Sequence, residues 1–348
     1  MSYMDLFDSD APLDIIAVGR VALDFNPLEM NCTLAESVTF KKYLGGSPAN
    51  IAVGLARLGK KPGFIARVAD DSFGDFAVNY FKNEGIDTSH LFRAENGEKM
   101  GLTFTEIKSP TESSILMYRD GVADLSLCPK DVDEEYIKIA KAVLISGTSL
   151  CKSPSREAAL KAIKLAKKNG ITIIFDIDYR SYTWQSDDEI SVYYQTAAEQ
   201  SDIVIGSREE FDLTGRLIGL DKQDDINVAR YWHDKGNKIV IIKHGKEGSV
   251  AYSADGTRYL VKPFPVKLLK SFGGGDGYAS AFLYGLMEGW PLDKALEFGS
   301  AEAAMLVAAH SCSAAMPGAQ AVSDFIAEEK KQYGEMVFKI SDQANKEE

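Results

Sequence analysis

Short apolar runs rich in β-branched residues recur along the chain, each bounded by glycine or by a stretch with helical spacing. Ile15 to Gly19, Gly63 to Val68, Ala142 to Ile145, Ile171 to Phe175, Ile203 to Ile205 and Ile239 to Ile242 hold almost no polar position. A strand wet on one face would show a polar residue at every second place, so these runs predict strands buried on both faces. Between them Pro48 to Leu58 and Phe73 to Asn83 carry helical spacing and stop just before Gly59 and Gly85, where glycine closes helices. The alternation predicts an α/β fold with a mostly parallel central sheet and helices on both faces.

Two stretches depart from this rhythm. Val38 to Tyr43, and Gly101 to Ile107 followed by Ser114 to Tyr118, read as strands with no helix between them, and Ser109-Pro110-Thr111 supplies a turn. They predict a small antiparallel β lid, its strands inserted at about 27–44 and 98–120 into a single α/β domain over residues 1–335. The last third predicts helices over Asp276 to Glu288, Leu292 to Ala309 and Ala321 to Tyr333. A polar tail follows over 336–348, frayed from Asp342 to Glu348.

Charge and composition narrow the function classes. A net charge of −12 argues against nonspecific nucleic-acid binding, which rests on neutralising phosphates with Lys and Arg. It leaves room for a phosphorylated ligand held in one locally positive pocket. No apolar run approaches the eighteen or so residues of a membrane span, and the first ten residues carry acids where a signal peptide needs basic ones. Cys32, Cys128, Cys151 and Cys312 are far apart, as are His90, His233, His244 and His310, so neither a disulfide scaffold nor a histidine metal cluster has a framework. The expectation is a cytoplasmic protein with a small-molecule partner, acting on neither nucleic acid nor membrane.

The chemistry concentrates in two glycine turns. Lys270-Ser271-Phe272-Gly273-Gly274-Gly275-Asp276 precedes an apolar helix. Glycines there let backbone N–H groups converge on an anion, with the helix dipole adding positive potential. A carboxylate is a poor anion ligand, so Asp276 is better suited to taking the proton of a hydroxyl that attacks the bound anion. The same residues would also serve as a tight turn with a capping aspartate. Gly45-Gly46-Ser47-Pro48-Ala49-Asn50 opens a second helix, where glycine permits close backbone approach and Asn50 sits in the first turn. Pro48 at the start of a helix has reasons of its own. Asp24 lies beyond the first strand, on the side of an open α/β sheet where ligands bind. No G-x-G-x-x-G follows that strand, which disfavours a nicotinamide dehydrogenase, and no Gly-Lys-Ser/Thr makes a Walker loop.

With both turns in this order, separated by a full α/β body, the chain resembles the ribokinase-like (PfkB) carbohydrate kinases from Asp14 to about Gly318. The resemblance implies a ribokinase-like fold, ATP and Mg2+ as cofactors, an anion hole at Gly273, Gly274 and Gly275, and Asp276 as base. It implies sugar contacts at Asp24, Gly45, Gly46 and Asn50. Lys243-His244-Gly245-Lys246-Glu247-Gly248 stands where the family has its nucleotide loop, with Lys243 replacing a threonine and Gly245 and Gly248 kept. The family's magnesium motif falls on Gly206 to Glu209, which keeps Glu209 and replaces the asparagine by Gly206. Lys270 stands where several relatives have an aspartate beside a monovalent cation, which implies that its ammonium replaces that ion.

Two arginines bear on the substrate. Tyr118-Arg119 closes a lid strand, and Asp176-Ile177-Asp178-Tyr179-Arg180 follows a buried one. A guanidinium matches the two oxygens of a carboxylate, and similar motifs occur in the family's kinases for keto-deoxy sugar acids. The expected partner is therefore a small-molecule sugar acid bound through Arg119 and Arg180, with 2-keto-3-deoxygluconate or fructose as alternative substrates. A silent sugar- or nucleotide-binding regulator on the same scaffold is a further alternative, although a pure binder has no use for Asp276. An exposed lid edge could pair with a second copy and give a homodimer.

Overall fold

The computed structural model of the chain describes residues 3–7, 10–109 and 112–340; the turn expected at Pro110-Thr111 and the frayed end from Asp342 lie outside the described residues. Strands in chain order are β1 (Leu13–Val18), β2 (Ala22–Pro27), β3 (Phe40–Gly45), β4 (Pro62–Val68), β5 (Leu91–Arg93), β6 (Gly101–Ser109), β7 (Glu112–Tyr118), β8 (Ala140–Ser146), β9 (Thr172–Asp176), β10 (Ile203–Ser207), β11 (Ile239–Lys243), β12 (Ser249–Ser253), β13 (Arg258–Val261) and β14 (Val337–Ile340). Helices are α1 (Ser47–Arg57), α2 (Ser72–Asn83), α3 (Glu134–Lys138), α4 (Ser155–Lys168), α5 (Asp187–Ala198), α6 (Arg208–Gly215), α7 (Asp225–Lys235), α8 (Gly274–Met287), α9 (Leu292–Val307) and α10 (Ala319–Tyr333).

The large sheet runs β14-β13-β12-β11-β10-β9-β8-β1-β4-β5. Its pairs from β11 to β5 are parallel, and β12, β13 and β14 add on antiparallel. The apolar runs explain this directly. Ile15 and Ala17 of β1 enter one core with α1 and α8, while Ile16 and Val18 enter the core under α4, α5 and α7. β10 and β11 divide their residues the same way, Ile205 and Ile241 to one side, Val204 and Ile242 to the other. A strand covered on both faces can afford no polar position, and each isoleucine or valine so buried contributes about 1.5–3 kcal/mol.

The second sheet has the order β3-β2-β6-β7. Its outer pairs are antiparallel, and the central pair, β2 with β6, runs parallel. The lid therefore begins at Ala22, earlier than the 27 expected, and Asp24 sits within a lid strand rather than in a loop after β1. The strand is hard to read because Asp24 faces the cleft and Asn26 is buried, its amide bonded to Thr105 and the His310 carbonyl. At the other end, Val337–Ile340 fall in the stretch expected as polar tail but pair with β13 as an edge strand. Phe338 and Lys339 are exposed and Val337 and Ile340 half-buried, as suits an edge strand.

Candidate active site

The C-terminal ends of the parallel strands all point to one crevice, as open α/β sheets require of a binding site. Beyond β1 comes Arg20, β8 ends at Ser146, β9 at Asp176, β10 at Ser207 and β11 at Lys243. The lid strands and the N-termini of α1 and α8 close it.

The anion turn is built around Gly273, which caps α8 with a φ of +88°. A Cβ on it would stand 2.4 Å from Cys312 Sγ and 3.1 Å from Lys270 Nζ, so both backbone and space demand glycine. Gly274 and Gly275 form the first helical turn, whose N–H groups have no acceptor within the helix. A Cβ on Gly275 would lie 3.4 Å from Lys243 Nζ. The ammonium of Lys243 thus stands beside the same amides, and an anion there would meet a helix N-terminus and a cation together.

Asp276 comes next in that turn and is partly accessible. Asn50, from the first turn of α1, donates through Nδ2 to Asp276 Oδ2 at 2.7 Å, while Asn50 Oδ1 is buried without a partner. One end of the amide orients the carboxylate, and the other end is an open acceptor, suited to a substrate hydroxyl. Burial, reinforced by the charge of Asp178, lifts the Asp276 carboxyl to about 6, against hydrogen bonds from Asn50 and Ser47 and the charge of Arg180. Across the crevice Asp24 lies against Gly45, where any Cβ would fall 2.1 Å from Asp24 Oδ1. Burial raises its carboxyl too, with Arg20, Thr103, Lys270 and Arg180 opposing.

A belt of acids lines the sheet side. Asp176 is buried and accepts from Ser47 Oγ at 3.1 Å. Burial raises its carboxyl, Lys243 pulls it down, and Asp178, Glu210 and Asp276 push it up again. Asp178 holds a φ of +38°, a strained conformation that Asp and Asn tolerate better than most residues. It pairs with Arg180 Nη2 at 2.8 Å and accepts from Ser146 Oγ at 3.1 Å.

Behind the anion turn Lys270 is fully buried, and Nζ donates to the carbonyls of Phe272 at 2.8 Å and Leu306 at 2.9 Å. The loop that carries Cys312 also fastens the lid. His310 bonds Tyr43 Oη and accepts at its carbonyl from Asn26, and Ser313 Oγ donates to the Leu44 carbonyl.

Two of the expected site residues stand apart from the cluster. Glu209 is exposed, and the acid that faces the cluster is Glu210. Ser207 caps α6, and its N–H donates to Glu210 Oε2 at 2.6 Å while Tyr179 N–H donates to Oε1 at 2.8 Å. Counting from the cap rather than from Gly206 moves the acid by one residue. Arg119 is buried, with Nε and Nη2 on Asp124 Oδ2 at 3.1 and 2.6 Å and Nη2 also on the Thr148 carbonyl at 2.8 Å. Its fork is occupied from within the cleft wall. Arg180 stays partly open and close to Asp276. Arg20, Ser47 and Glu210 join the crevice without having been expected there; the position of Arg20 directly past β1 was the available signal.

If Asp276 accepts a proton in turnover, kcat/KM should rise with pH through about 6 and then level. Asp178→Asn removes a negative neighbour and frees Arg180, and both changes favour the ionised base. The acid limb should therefore move to lower pH in that variant. A limb that does not move would assign the titration to another group.

Comparison with known proteins agrees with this geometry. A model of the pfkB family of carbohydrate kinases matches residues 13–319. The 5-dehydro-2-deoxygluconokinase of Clostridium beijerinckii is 66% identical over 331 residues, 95% of this chain and 98% of its own. The protein of the same name from Geobacillus kaustophilus is 54% identical over 326 residues, 94% and 97% of the two chains. Among solved structures, a PfkB protein from Polaromonas sp. JS666 superposes with a TM-score of 0.77 at 26% identity, covering 90% of this chain and 99% of that one. The fructokinase of Xylella fastidiosa, solved with ATP bound, gives 0.80 at 22% identity over 91% and 99%, a likeness of fold. Among the described residues no helix is long and apolar enough to cross a membrane.

Proposed function

The chain belongs to the pfkB family of carbohydrate kinases, and from that premise we propose that it transfers the γ-phosphoryl group of ATP to the terminal hydroxyl of 5-dehydro-2-deoxygluconate. The observation that carries the reading is Asp276, poised at 2.7 Å from Asn50 and one residue past an anion turn that Lys243 overlooks. A base at that point has no purpose in a protein that only binds. The sugar acid is supported by the relatives' activity and by the arginines of the cleft.

Each residue then has a role. The N–H groups of Gly274 and Gly275, with Lys243, hold the phosphate charge, and Gly245 and Gly248 let the backbone approach the nucleotide. Preorganised donors of this kind contribute about 3–4 kcal/mol each in other enzymes. Asp24, Gly45, Gly46 and Asn50 fix the sugar's hydroxyls. Asp276 takes the proton as the terminal oxygen attacks, and the lid excludes water from the transfer. The acids present fit magnesium: Glu210 and Asp176 would hold it through water and phosphate oxygens, where it would neutralise charge on the transferring group. Lys270, bonded to the Phe272 carbonyl and to the Leu306 carbonyl at the end of α9, acts as a tethered monovalent cation. The open edge of the lid at β7, with Leu116 and Tyr118 exposed, is the surface on which a second copy would pair.

Steady-state phosphorylation assays test this reading. With ATP and magnesium, kcat/KM should be highest for 5-dehydro-2-deoxygluconate, lower for 2-keto-3-deoxygluconate and lowest for fructose. Rates should match in potassium and sodium buffers. A preference for fructose would overturn the substrate, and strong activation by potassium would overturn the role of Lys270.

A further inference from the structure

Arg20 is a buried cation with an unmet donor. It is 5% exposed, Nη2 donates to Thr103 Oγ1 at 2.8 Å, and Nε has no partner. Among the described residues it forms no ion pair. A guanidinium taken out of water with one hydroxyl bonded to it keeps an unmet donor, and an anion reaching it would complete the site.

The neighbouring acids attract Arg20 without bonding it. Asp124 has committed Oδ2 to Arg119, and its Oδ1 is buried without a hydrogen-bond partner. Asp24 is close enough to be felt, but its carboxylate rests over Gly45 and is stabilised by Thr103. Burial and the like charge of Arg119 weaken the hold of Arg20 on its proton, and Asp124 and Asp24 oppose them. Two cations, Arg20 and Arg119, thus face two acids, Asp24 and Asp124, yet neither acid bonds Arg20, whose Nε–H is left without an acceptor.

The place is the cleft floor. Thr103 belongs to lid strand β6, and the nearest atoms to a Cβ on Gly46 would be the Arg20 carbonyl oxygen at 2.5 Å and Cγ at 3.5 Å. Arg20 thus runs under the Gly45-Gly46 turn, with lid above it. Arg180, another guanidinium of the crevice, is paired with Asp178 and acts on Asp276, at the reacting end. A sugar acid presents its carboxylate at the end opposite the terminal hydroxyl.

We propose that Arg20 is the specificity-determining residue that receives the substrate carboxylate, while Arg119 holds the wall behind it through Asp124. The assignment rests on the sugar-acid reading above. Arg20→Gln should lower kcat/KM for 5-dehydro-2-deoxygluconate about 10²-fold, chiefly through KM, because a polar site loses most when its charged partner is unpaired. For the neutral analogue with the carboxylate replaced by CH2OH, the loss should stay within about threefold.

The controls separate the failures. A wild type that does not favour the acid over the neutral analogue overturns the sugar-acid reading and this assignment with it. A wild type that does, beside an Arg20→Gln protein that keeps the preference or loses both substrates equally, overturns the assignment alone. Arg20→Lys retains the charge, guards against misfolding, and should keep an intermediate preference. In the unaltered protein, 15N spectra of labelled arginine should show the Arg20 Nε–H signal shift on adding the sugar acid without ATP. An Nε–H signal that the acid leaves in place also overturns the assignment.

Discussion

Asp276→Asn should lower kcat by about 10²–10⁴-fold while ATP binds as well as before. The substitution changes one atom and keeps shape, and the new amide oxygen can still accept from Asn50, now 2.7 Å from Asp276 Oδ2. What disappears is the ability to take a proton. The negative charge beside the first amides of α8 disappears as well, so phosphate binding loses a repulsive neighbour and should not weaken. Titration of ATP by calorimetry and single-turnover phosphoryl transfer separate the two effects. The acid limb near pH 6 should vanish from what activity is left. A turnover number within tenfold of the parent would remove Asp276 from the role of base.

That residue was legible in the chain because its surroundings are sequence-local: three glycines, an aspartate and an apolar helix fall in one run. The large sheet was legible for a related reason, since strands covered on both faces must be apolar throughout. What escaped depends on contacts between distant segments. Nothing in Tyr118-Arg119-Asp120 shows that the guanidinium will close onto Asp124 and the Thr148 carbonyl, which leaves it no free fork. Ala22–Pro27 is a strand only because Gly45 and Gly101 of other segments pair with it. Glu209 and Glu210 differ by one step on a helix, and the Ser207 cap decides which of them turns inward. A lysine reads as a surface residue until the Phe272 and Leu306 carbonyls are seen to enclose Lys270. Hydrogen bonding in a folded cleft is a three-dimensional sum, so the unmet donor of Arg20 could not be read from spacing.

Lys243 carries the second large effect. It ends β11, registered between Ser207 of β10 and Ser249 of β12, so the sheet itself aims the position at the crevice. Its ammonium lies between two demands: the amides at Gly275, and the buried Asp176, whose carboxyl burial and three acidic neighbours push up while Lys243 opposes them. Lys243→Met keeps the length of the stem and removes the charge. By analogy with the loss of a single donor from an oxyanion hole, kcat should fall about 10²–10³-fold. The loss belongs mainly in kcat, because negative charge shifts within the phosphate chain as transfer proceeds and a fixed cation is worth more there than in the ground state. Asp176 would at the same time lose the neighbour that favours its ionised form, so any magnesium it helps to hold should bind less tightly. Activity in the variant should then recover partly at raised magnesium, whereas a misfolded protein would not respond. A variant within fivefold of the parent in kcat would show that the nucleotide loop acts through its backbone alone and that Lys243 serves only to neutralise Asp176.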